Sequence, residues 1–375
     1  MTVHRILLSA REPGAAQMIG PLYRALSADG RFAVELVAQG AALEALTAMG
    51  LQPTPVGVIA LEHPEDEERE ALFRAAGTIV DAFAPDVVIT GLSGPGVGID
   101  EALVHLCGDR AVFSVQDYEG WVVRGFGRPA PVYFVADEHA ARLTRRVEGV
   151  EPVVVGDLKY AGFADLDIPA LRAEGRALAP SGRPLVTFYG QPAWGYAGYR
   201  ETLEILSRAA GQLPDLCFLY RPHPKETETE REMLSAMFEA EGVTLTRCPA
   251  GTVEGSIALT DTVVSVFSTV GADHVNLQRA APSPIGTAVY LLFEPAIRAL
   301  LEADSGAPRP NVVERGLAHC VERPDTLVEV LRACARPEAA RASWRHINEA
   351  VCPAERPGRQ IIDSIIARLG ANGPD

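Results

Sequence analysis

The sequence predicts an α/β protein made of two Rossmann-like domains that face each other across a cleft. Its 375 residues exceed the length that one hydrophobic core commonly serves. Short apolar runs alternate with longer amphipathic ones along most of the chain, a pattern typical of repeated βα units and parallel sheets. The alternation loosens once, near residues 166–183, and then resumes. We therefore expect two doubly wound sheets joined by a linker.

The first half, residues 1–165, is predicted to form an N-terminal Rossmann-like domain. Its apolar runs predict the strands Arg5–Ser9, Phe32–Ala38, Asp86–Thr90, Ala111–Gln116, Val132–Ala136 and Pro152–Gly156. Its amphipathic runs predict the helices Ala15–Ala28, Ala41–Met49, Glu65–Phe83 and Val97–Cys107. This order predicts one parallel sheet of six or seven strands.

The second half repeats the pattern over residues 184–345, which predicts a C-terminal Rossmann-like domain, after a linker at 166–183 that contains a short helical stretch. Strands are predicted at Pro184–Phe188, Cys217–Tyr220, Val243–Arg247, Thr262–Val266, Ala288–Phe293 and Leu317–Val321. A final helical segment, 346–375, is predicted to break near Pro353 and Pro357. Ligands bind at the carboxyl ends of strands in such sheets, so the predicted cleft is the expected site.

Charge and hydropathy exclude several classes of partner. The formal net charge is -15 at pH 7, which argues against binding to nucleic acid or to an anionic membrane surface. No run approaches 18 apolar residues, so we expect no integral membrane segment. The chain also enters its first strand without a charged and apolar leader, which predicts a cytoplasmic protein.

The first strand is followed by a turn with Arg11, Glu12 and Gly14 before a helix. With one glycine it is not the GxGxxG fingerprint, so NAD binding is disfavoured. Glu12 is a candidate base, and Arg11 and Gly14 are candidate substrate contacts at a strand end. The alternative is a surface ion pair between Arg11 and Glu12 that precedes a helix begun by proline.

An acidic and aromatic turn, Gln116–Trp121, follows the strand that begins at Ala111. Asp117 or Glu119 could deprotonate an acceptor hydroxyl, and Trp121 could stack on a sugar face. The alternative is a turn in which Asp117 makes a local Asx bond and Trp121 only packs.

The clearest chemical signal is His223, which lies between Pro222 and Pro224 after the strand Cys217–Tyr220. The two prolines restrict the backbone around the imidazole, while Arg221 and Lys225 supply positive charge. These groups could stabilise a nucleotide phosphate as it leaves. The alternative for this turn is a structural cap.

Two further turns of the second half are candidate donor contacts. Ser265, Ser268 and Thr269 lie where a strand gives way to a helix, so capping is their first interpretation and phosphate binding the second. Gln191 and Trp194 follow the first strand of this half, where a donor-contacting loop is expected.

Taken in order, these motifs resemble those of GT-B bacterial glycosyltransferases of the surface-carbohydrate type and related nucleotide-sugar epimerases. The opening Ser-Ala-Arg-Glu-Pro-Gly turn, the Asp-Tyr-Glu-Gly-Trp segment and Val-Val-Val-Gly-Asp carry the likeness in the first half. The second half is similar to the bacterial sialyltransferases and polysialyltransferases, whose acid-glycine, His-Pro and Ser-Ser/Thr motifs correspond to Glu119-Gly120, His223-Pro224 and Ser268-Thr269.

The resemblance implies the GT-B architecture, with residues 1–165 as the acceptor-side domain and residues 184–345 as the nucleotide-sugar-binding domain. It also implies inverting transfer of a sugar from a nucleotide-sugar donor to an acceptor hydroxyl. That family has two consecutive acids before the glycine, where this chain has Tyr118-Glu119, so the base could be Glu119, Asp117 or Glu12. The scheme requires no metal and no cofactor. A CMP-linked acidic sugar is the first expectation for the donor, with UDP and GDP sugars open, and the acceptor could be a glycan, a small molecule or a protein.

Two other functions remain open from the sequence. A hydrolysing UDP-sugar 2-epimerase would use the same fold, with acid and base groups on both sides of the sugar ring. A catalytically silent nucleotide-sugar-binding module would keep the phosphate contacts without transfer.

Overall fold

The structure, a computed structural model, describes residues 3–58, 66–94, 96–108, 110–178 and 182–371. It confirms the α/β class with two parallel, Rossmann-like sheets. Unit 1 comprises residues 1–164 and 352–375, and unit 2 comprises residues 165–351. Each unit is described by itself.

Unit 1 holds a seven-stranded parallel sheet in the order β3-β2-β1-β4-β5-β6-β7. The strands are β1 His4–Ala10, β2 Phe32–Ala38, β3 Thr54–Pro55, β4 Val87–Thr90, β5 Ala111–Val115, β6 Val132–Val135 and β7 Glu151–Val154. The helices are α1 Pro13–Ser27, α2 Ala41–Ala48, α3 Asp66–Phe83, α4 Ile99–Leu106 and α5 Glu138–Thr144. Glu65, the predicted first residue of α3, lies outside the described residues.

The strand β1 is buried on both of its faces. Ile6 and Leu8 pack on one side with Ile19 of α1. Leu7 points to the other side, where Leu72 of α3 and Leu103 of α4 cover it. A parallel sheet with helices on both faces requires such a continuous apolar run rather than an alternating one.

Unit 2 holds a six-stranded parallel sheet in the order β10-β9-β8-β11-β12-β13. The strands are β8 Leu185–Tyr189, β9 Cys217–Arg221, β10 Thr246–Arg247, β11 Thr262–Ser265, β12 Thr287–Leu291 and β13 His319–Val321. The helices are α6 Ile168–Leu178, α7 Tyr199–Gly211, α8 Glu228–Ala240, α9 Val253–Leu259, α10 Val270–Ala280, α11 Pro295–Ser305, α12 Asn311–Glu314, α13 Leu327–Cys334 and α14 Pro337–Ala350.

Two segments that the sequence predicts as a linker and as a final helical segment each pack against one of the units. Helix α6, in the segment predicted as a linker, packs within unit 2, where a Cβ at Gly175 would lie 2.7 Å from Leu259 Cβ. The last helix, α15 Arg356–Ala371, returns to unit 1, where Ile361 and Ile365 join the core on the α1 side of the sheet.

Pro357 does not break α15, because it lies in the first turn, where no intrahelical amide bond is lost. The assignment of an acceptor-side and a nucleotide-sugar-binding domain stays a prediction. Over the described ranges, no helix combines the length and the apolar content that crossing a bilayer requires.

Candidate functional site

Each sheet has one switch point, where the chain leaves two neighbouring strands in opposite directions. In unit 1 it lies between β1 and β4, and in unit 2 between β8 and β11. Ligands of doubly wound sheets bind at the carboxyl ends of the strands around this point. The predicted site residues lie at or just after the ends of five strands: β1 and β5 in unit 1, and β8, β9 and β11 in unit 2. The structure thus gathers them on two carboxyl edges.

The acidic loop of unit 1, residues 117–121, is shaped by the buried side chain of Gln116. Its Nε2 donates to Trp121 O at 2.9 Å and to Thr144 Oγ1 at 3.1 Å, and its Oε1 accepts from Gly120 N at 3.1 Å. Gly120 has φ of 74°, and a Cβ there would lie 2.6 Å from Leu143 Cβ. A glycine is therefore required for this turn.

Asp117 extends from this loop over the first turn of α1. A Cβ at Gly14 would lie 2.1 Å from Asp117 Oδ2, so the carboxylate occupies the space that only a glycine leaves open. Although the residue reaches solvent, loss of hydration around the carboxylate raises its pKa to about 6. Its own backbone amide opposes this shift, and the charge of Asp157 adds to it.

The other two candidate bases have different neighbours. Glu119 contacts His139 of α5, with 3.6 Å between Oε2 and Nε2, and both side chains are partly exposed. Glu12 lies 3.7 Å from Arg11 Nη1 and precedes α1. The structure thus places Asp117 and Glu12 beside α1 and pairs Glu119 with α5.

Two aromatic rings are exposed beside Asp117. Trp121 is 51% exposed and Tyr118 is 44% exposed, and their rings meet edge to face at 6.3 Å between centroids. A Cβ at Gly94 would lie 3.7 Å from the Trp121 indole, so the loop after β4 passes under this ring. An exposed aromatic pair next to a carboxylate is suited to a sugar ring with a reactive hydroxyl.

Arg11 is buried, with 2% of its side chain exposed, and it forms the ion pair with the exposed Glu12 that the sequence offers as the alternative. Its Nε lies 3.3 Å from Glu101 Oε2, and its Nη2 donates to Gly96 O at 3.0 Å. Glu101 Oε2 also accepts from Gly98 N at 2.7 Å at the start of α4. Arg11 therefore joins the end of β1 to the loop before α4, and its role as a substrate contact stays a prediction.

The neighbouring residue Asp100 bridges the two strands of the switch point. It accepts from Ser9 Oγ at 2.5 Å, at the end of β1, and from Ser93 Oγ at 3.0 Å, after β4. Burial, followed by the charge of Glu101, raises its pKa to about 7 against the hydrogen bonds and the charge of Arg11. Asp100 and Glu101 were not predicted from the sequence, where their only signal is an acidic pair in the first turn of a helix after a glycine-rich loop.

In unit 2 the ring of His223 is held in one tautomer. Lys225 N donates to His223 Nδ1 at 3.1 Å, which assigns the proton of the neutral ring to Nε2. Burial, and then the charge of Lys225, lowers the pKa of the imidazole. His223 is therefore a neutral hydrogen-bond donor at neutral pH, and Pro224 and Lys225 beside it are exposed.

Beneath this turn lies Glu226, a buried carboxylate that the sequence analysis did not select. Its Oε2 accepts from His223 N at 2.5 Å, and a Cβ at Gly190 would lie 2.1 Å from the same oxygen. Burial raises its pKa, while the hydrogen bond from His223 N lowers it. Its signal in the sequence is its place three residues after His223, where it can reach back to the backbone of the turn.

Several predicted donor contacts of unit 2 also hold neighbouring loops. Arg221 donates to Ala250 O at 2.8 Å and to Gly251 O at 3.3 Å. Gln191 Oε1 accepts from the amides of Val266 and Phe267 at 3.2 and 3.0 Å, which joins the ends of β8 and β11. Trp194 meets Tyr199 edge to face at 6.1 Å. These side chains therefore shape the carboxyl edge, and their contact with a donor stays a prediction.

The serine and threonine hydroxyl groups between β11 and α10 have different surroundings. Ser265 is buried within β11. Ser268 Oγ accepts from Val270 N at 3.2 Å, and Tyr290 OH donates to Ser268 O at 2.9 Å. Thr269, the first residue before α10, is exposed and its hydroxyl makes no capping bond. Thr269 therefore presents a hydroxyl at the positive end of a helix, a geometry that suits an anion.

Metal-binding signals are weak in the described part of the chain. One Asp-x-Asp spacing occurs at Asp165 and Asp167, but Asp167 Oδ1 accepts from Ala170 N at 2.9 Å and caps α6. Among the described residues, no group of three or more His, Cys, Asp and Glu side chains could hold a metal ion.

Comparisons with known proteins inform the fold alone. No family model and no curated protein matches the chain. Among solved structures it is similar to UDP-GlcNAc 2-epimerase from Neisseria meningitidis bound to UDP-GlcNAc, at 10% identity and TM-score 0.70 over 97% of this chain and 100% of that one. It is also similar to Acinetobacter baumannii MurG, at 14% identity and TM-score 0.60 over 97% and 99% of the two chains.

A glycosyltransferase from Rickettsia africae ESF-5 aligns over the whole of both chains, at 10% identity and TM-score 0.63. These neighbours confirm the GT-B fold that the sequence predicts. The finer likeness to sialyltransferases stays a prediction.

The Asp100 bridge makes stability depend on pH in a defined direction. Because its pKa is raised from 3.8 to about 7, the folded chain binds more protons than the unfolded chain between these values. Stability contributed by this group therefore falls as pH rises from about 4 to about 7. Asp100→Asn should remove this fall, so thermal unfolding midpoints measured at about pH 5 and about pH 8 should differ less than in the wild type. Asp81→Asn, on the exposed surface of α3, is the control and should keep the wild-type difference between the two midpoints. An Asp100→Asn variant with the wild-type pH dependence would contradict the raised pKa of Asp100.

Proposed function

We propose that this chain is an inverting glycosyltransferase that takes a sugar from a nucleotide-sugar donor. The observation that carries the proposal is the fixed, neutral imidazole of His223. Because Nδ1 accepts a hydrogen bond from Lys225 N, the ring carries its proton on Nε2, which can donate it to a ligand. His223 and Thr269 follow β9 and β11, which flank β8. Two strand spacings separate them by about 10 Å, a span that a nucleoside diphosphate sugar can cover.

The residues of unit 2 would stabilise the departing phosphate. His223 Nε2 donates a hydrogen bond, Lys225 supplies positive charge, and Thr269 adds a hydroxyl at the positive end of α10. Arg221 and Gln191 would keep the surrounding loops in place through their bonds to backbone groups. This arrangement would act without a metal.

The residues of unit 1 would activate the acceptor. Asp117, in its ionised form, would take the proton of the acceptor hydroxyl, whose oxygen then attacks the anomeric carbon and inverts it. Asp117 is favoured over Glu119 because the Glu119 carboxylate already contacts His139, whereas the pKa of Asp117 is raised, and a raised pKa makes a carboxylate a stronger base. Trp121 and Tyr118 would bind the acceptor ring.

The donor is proposed to carry uridine diphosphate. The structure of the Neisseria meningitidis epimerase contains UDP-GlcNAc, which supports a uridine nucleotide over the CMP-linked sugar that the sequence motifs suggest. A cytidine donor would instead support the sialyltransferase-like reading of the motifs.

Nucleotide binding tests the role of His223. In a thermal-shift panel of UDP, CMP, CDP and GDP, we expect UDP to raise the unfolding midpoint most, because a ligand that binds only the folded state stabilises it. His223→Ala should reduce the shift, since it removes one hydrogen bond to a charged group, which is worth about 1.5–3 kcal/mol. His346→Ala, an exposed histidine of α14, is the matched control and should leave the shift unchanged. Equal shifts in the wild type and in His223→Ala would exclude the proposed role.

The choice of base is tested by activity against pH. With a pKa of about 6, Asp117 should be half ionised near pH 6, so the transfer rate should rise through this region and level off above it. Asp117→Asn should lower kcat by about 100-fold or more and abolish the rise, while Glu119→Gln should keep both the rise and most of the rate. The reverse result for the two variants would identify Glu119 as the base.

A UDP-sugar 2-epimerase is the second candidate, favoured by the structural similarity to such enzymes. Incubation with UDP-GlcNAc alone, followed by NMR of the sugar, separates the two functions. A transferase should leave the sugar configuration unchanged without an acceptor, whereas epimerised product would favour the second candidate. Nucleotide binding that depends on His223 without turnover under any condition would support a binding module.

A further inference from the structure

A cavity of about 270 Å³ lies in unit 2 at the edge of the sheet opposite to His223. It is lined by Arg172, Asp261, Ile285, Arg336, Pro337 and Arg341, among others. Asp261 immediately precedes β11 and Ile285 lies just before β12, so the cavity borders the amino ends of these strands. A five-residue strand spans about 16 Å, which separates this cavity from the carboxyl edge.

The floor of the cavity is a rigid cluster around Asp261. Arg172 Nη2 and Arg176 Nη2 both approach Asp261 Oδ1, at 2.9 and 2.5 Å. Asp261 Oδ2 accepts from Leu185 N at 2.8 Å. Arg172 Nη1 also donates to Ala258 O at 2.5 Å and to Ile285 O at 2.9 Å. These bonds hold the Arg172 guanidinium in a fixed orientation at the wall of the cavity.

Positive charge exceeds negative charge in this region. Asp261 is shared by two guanidinium groups, so it balances only one of them. Arg336 and Arg341 add two more charges, and the exposed Glu338 pairs with Arg341 at 2.6 Å. The buried Nε of Arg176 has no hydrogen-bond acceptor among the described residues. A local excess of arginine is unexpected in a chain with a net charge of -15, and it favours an anion.

The cavity also adjoins the amino terminus of α14. Arg336 is the residue before this 14-residue helix and Pro337 is its first residue, and both line the cavity. The positive end of the helix dipole therefore adds to the field of the arginines. Guanidinium groups bind phosphoryl oxygens in pairs, which makes a phosphate the anion that fits this geometry best.

We propose that the cavity between Arg172, Arg336 and Arg341 is a second anion site of this protein, which binds a group with one or two phosphates. It is separate from the nucleotide site proposed around His223, and it does not depend on the proposed transferase activity. Its volume admits a phosphate or a diphosphate. The phosphate could belong to a free small molecule or to the headgroup of a lipid, because the guanidinium groups recognise the phosphoryl oxygens in either case.

The experiment measures binding of pyrophosphate to the full chain by isothermal titration calorimetry. The doubly substituted variant Arg336→Gln with Arg341→Gln should weaken binding by about tenfold or more, because two charge-assisted contacts are lost. His223→Ala should retain wild-type affinity at this site, which distinguishes it from the nucleotide site. Arg345→Gln, an exposed position on α14 outside the cavity lining, is the matched control and should also retain affinity.

A second arm replaces pyrophosphate with vesicles that contain phosphatidic acid, and measures co-sedimentation of the same variants. Binding in either arm that requires Arg336 and Arg341 supports the site and identifies the source of the phosphate. Circular dichroism and the unfolding midpoint confirm that the variants are folded. The proposal is overturned if neither probe binds the wild type, if the doubly substituted variant binds as tightly as the wild type, or if His223→Ala alone removes binding.

Discussion

A buried polar side chain bridges the strand ends at the switch point of each sheet, and the loops of the candidate site lie at or beside these bridged strands. In unit 1, Asp100 accepts from Ser9 and Ser93 at the ends of β1 and β4. In unit 2, Gln191 accepts from two amides after β11. Moving a strand end away from its bridge would leave a buried polar group without its partner, which would lower the free energy of unfolding by about 1–3 kcal/mol. Each bridge therefore holds the strand ends that it joins in place. Loops that begin at such ends have a defined direction from their first residue.

The two carboxyl edges carry different chemistry on the same scaffold. The edge of unit 1 presents carboxylates and exposed aromatic rings, which suit an uncharged molecule with hydroxyl groups. The edge of unit 2 presents a neutral imidazole, a lysine and a helix amino terminus, which suit an anion. The division follows from the loops alone, since both sheets have the same parallel arrangement around their switch points. This is how one fold supports both halves of the transfer that we propose.

The sequence predicted the regular parts of this fold because their signals are local. Buried strands such as β1 appear as apolar runs, and the turn around His223 is marked by two prolines. Contacts between distant residues were not predictable in the same way. Arg11 meets Glu101 after 90 residues, and no pattern near Arg11 indicates that its charge is buried. The seven-residue helices α5 and α9 were missed because two turns are too short to show a period.

The role of Gly14 depends on Asp117, a residue that is distant in the sequence. Read alone, its turn lacks the glycines of a dinucleotide fingerprint and indicates only the start of a helix. In the fold, the missing side chain leaves the space into which the Asp117 carboxylate extends from β5. The packing there lowers the hydration of the carboxylate, which still reaches solvent, and raises its pKa toward the range that a base near neutral pH requires. The position of the candidate base is therefore set by two loops together, and the spacing of acids within either loop could not have identified it.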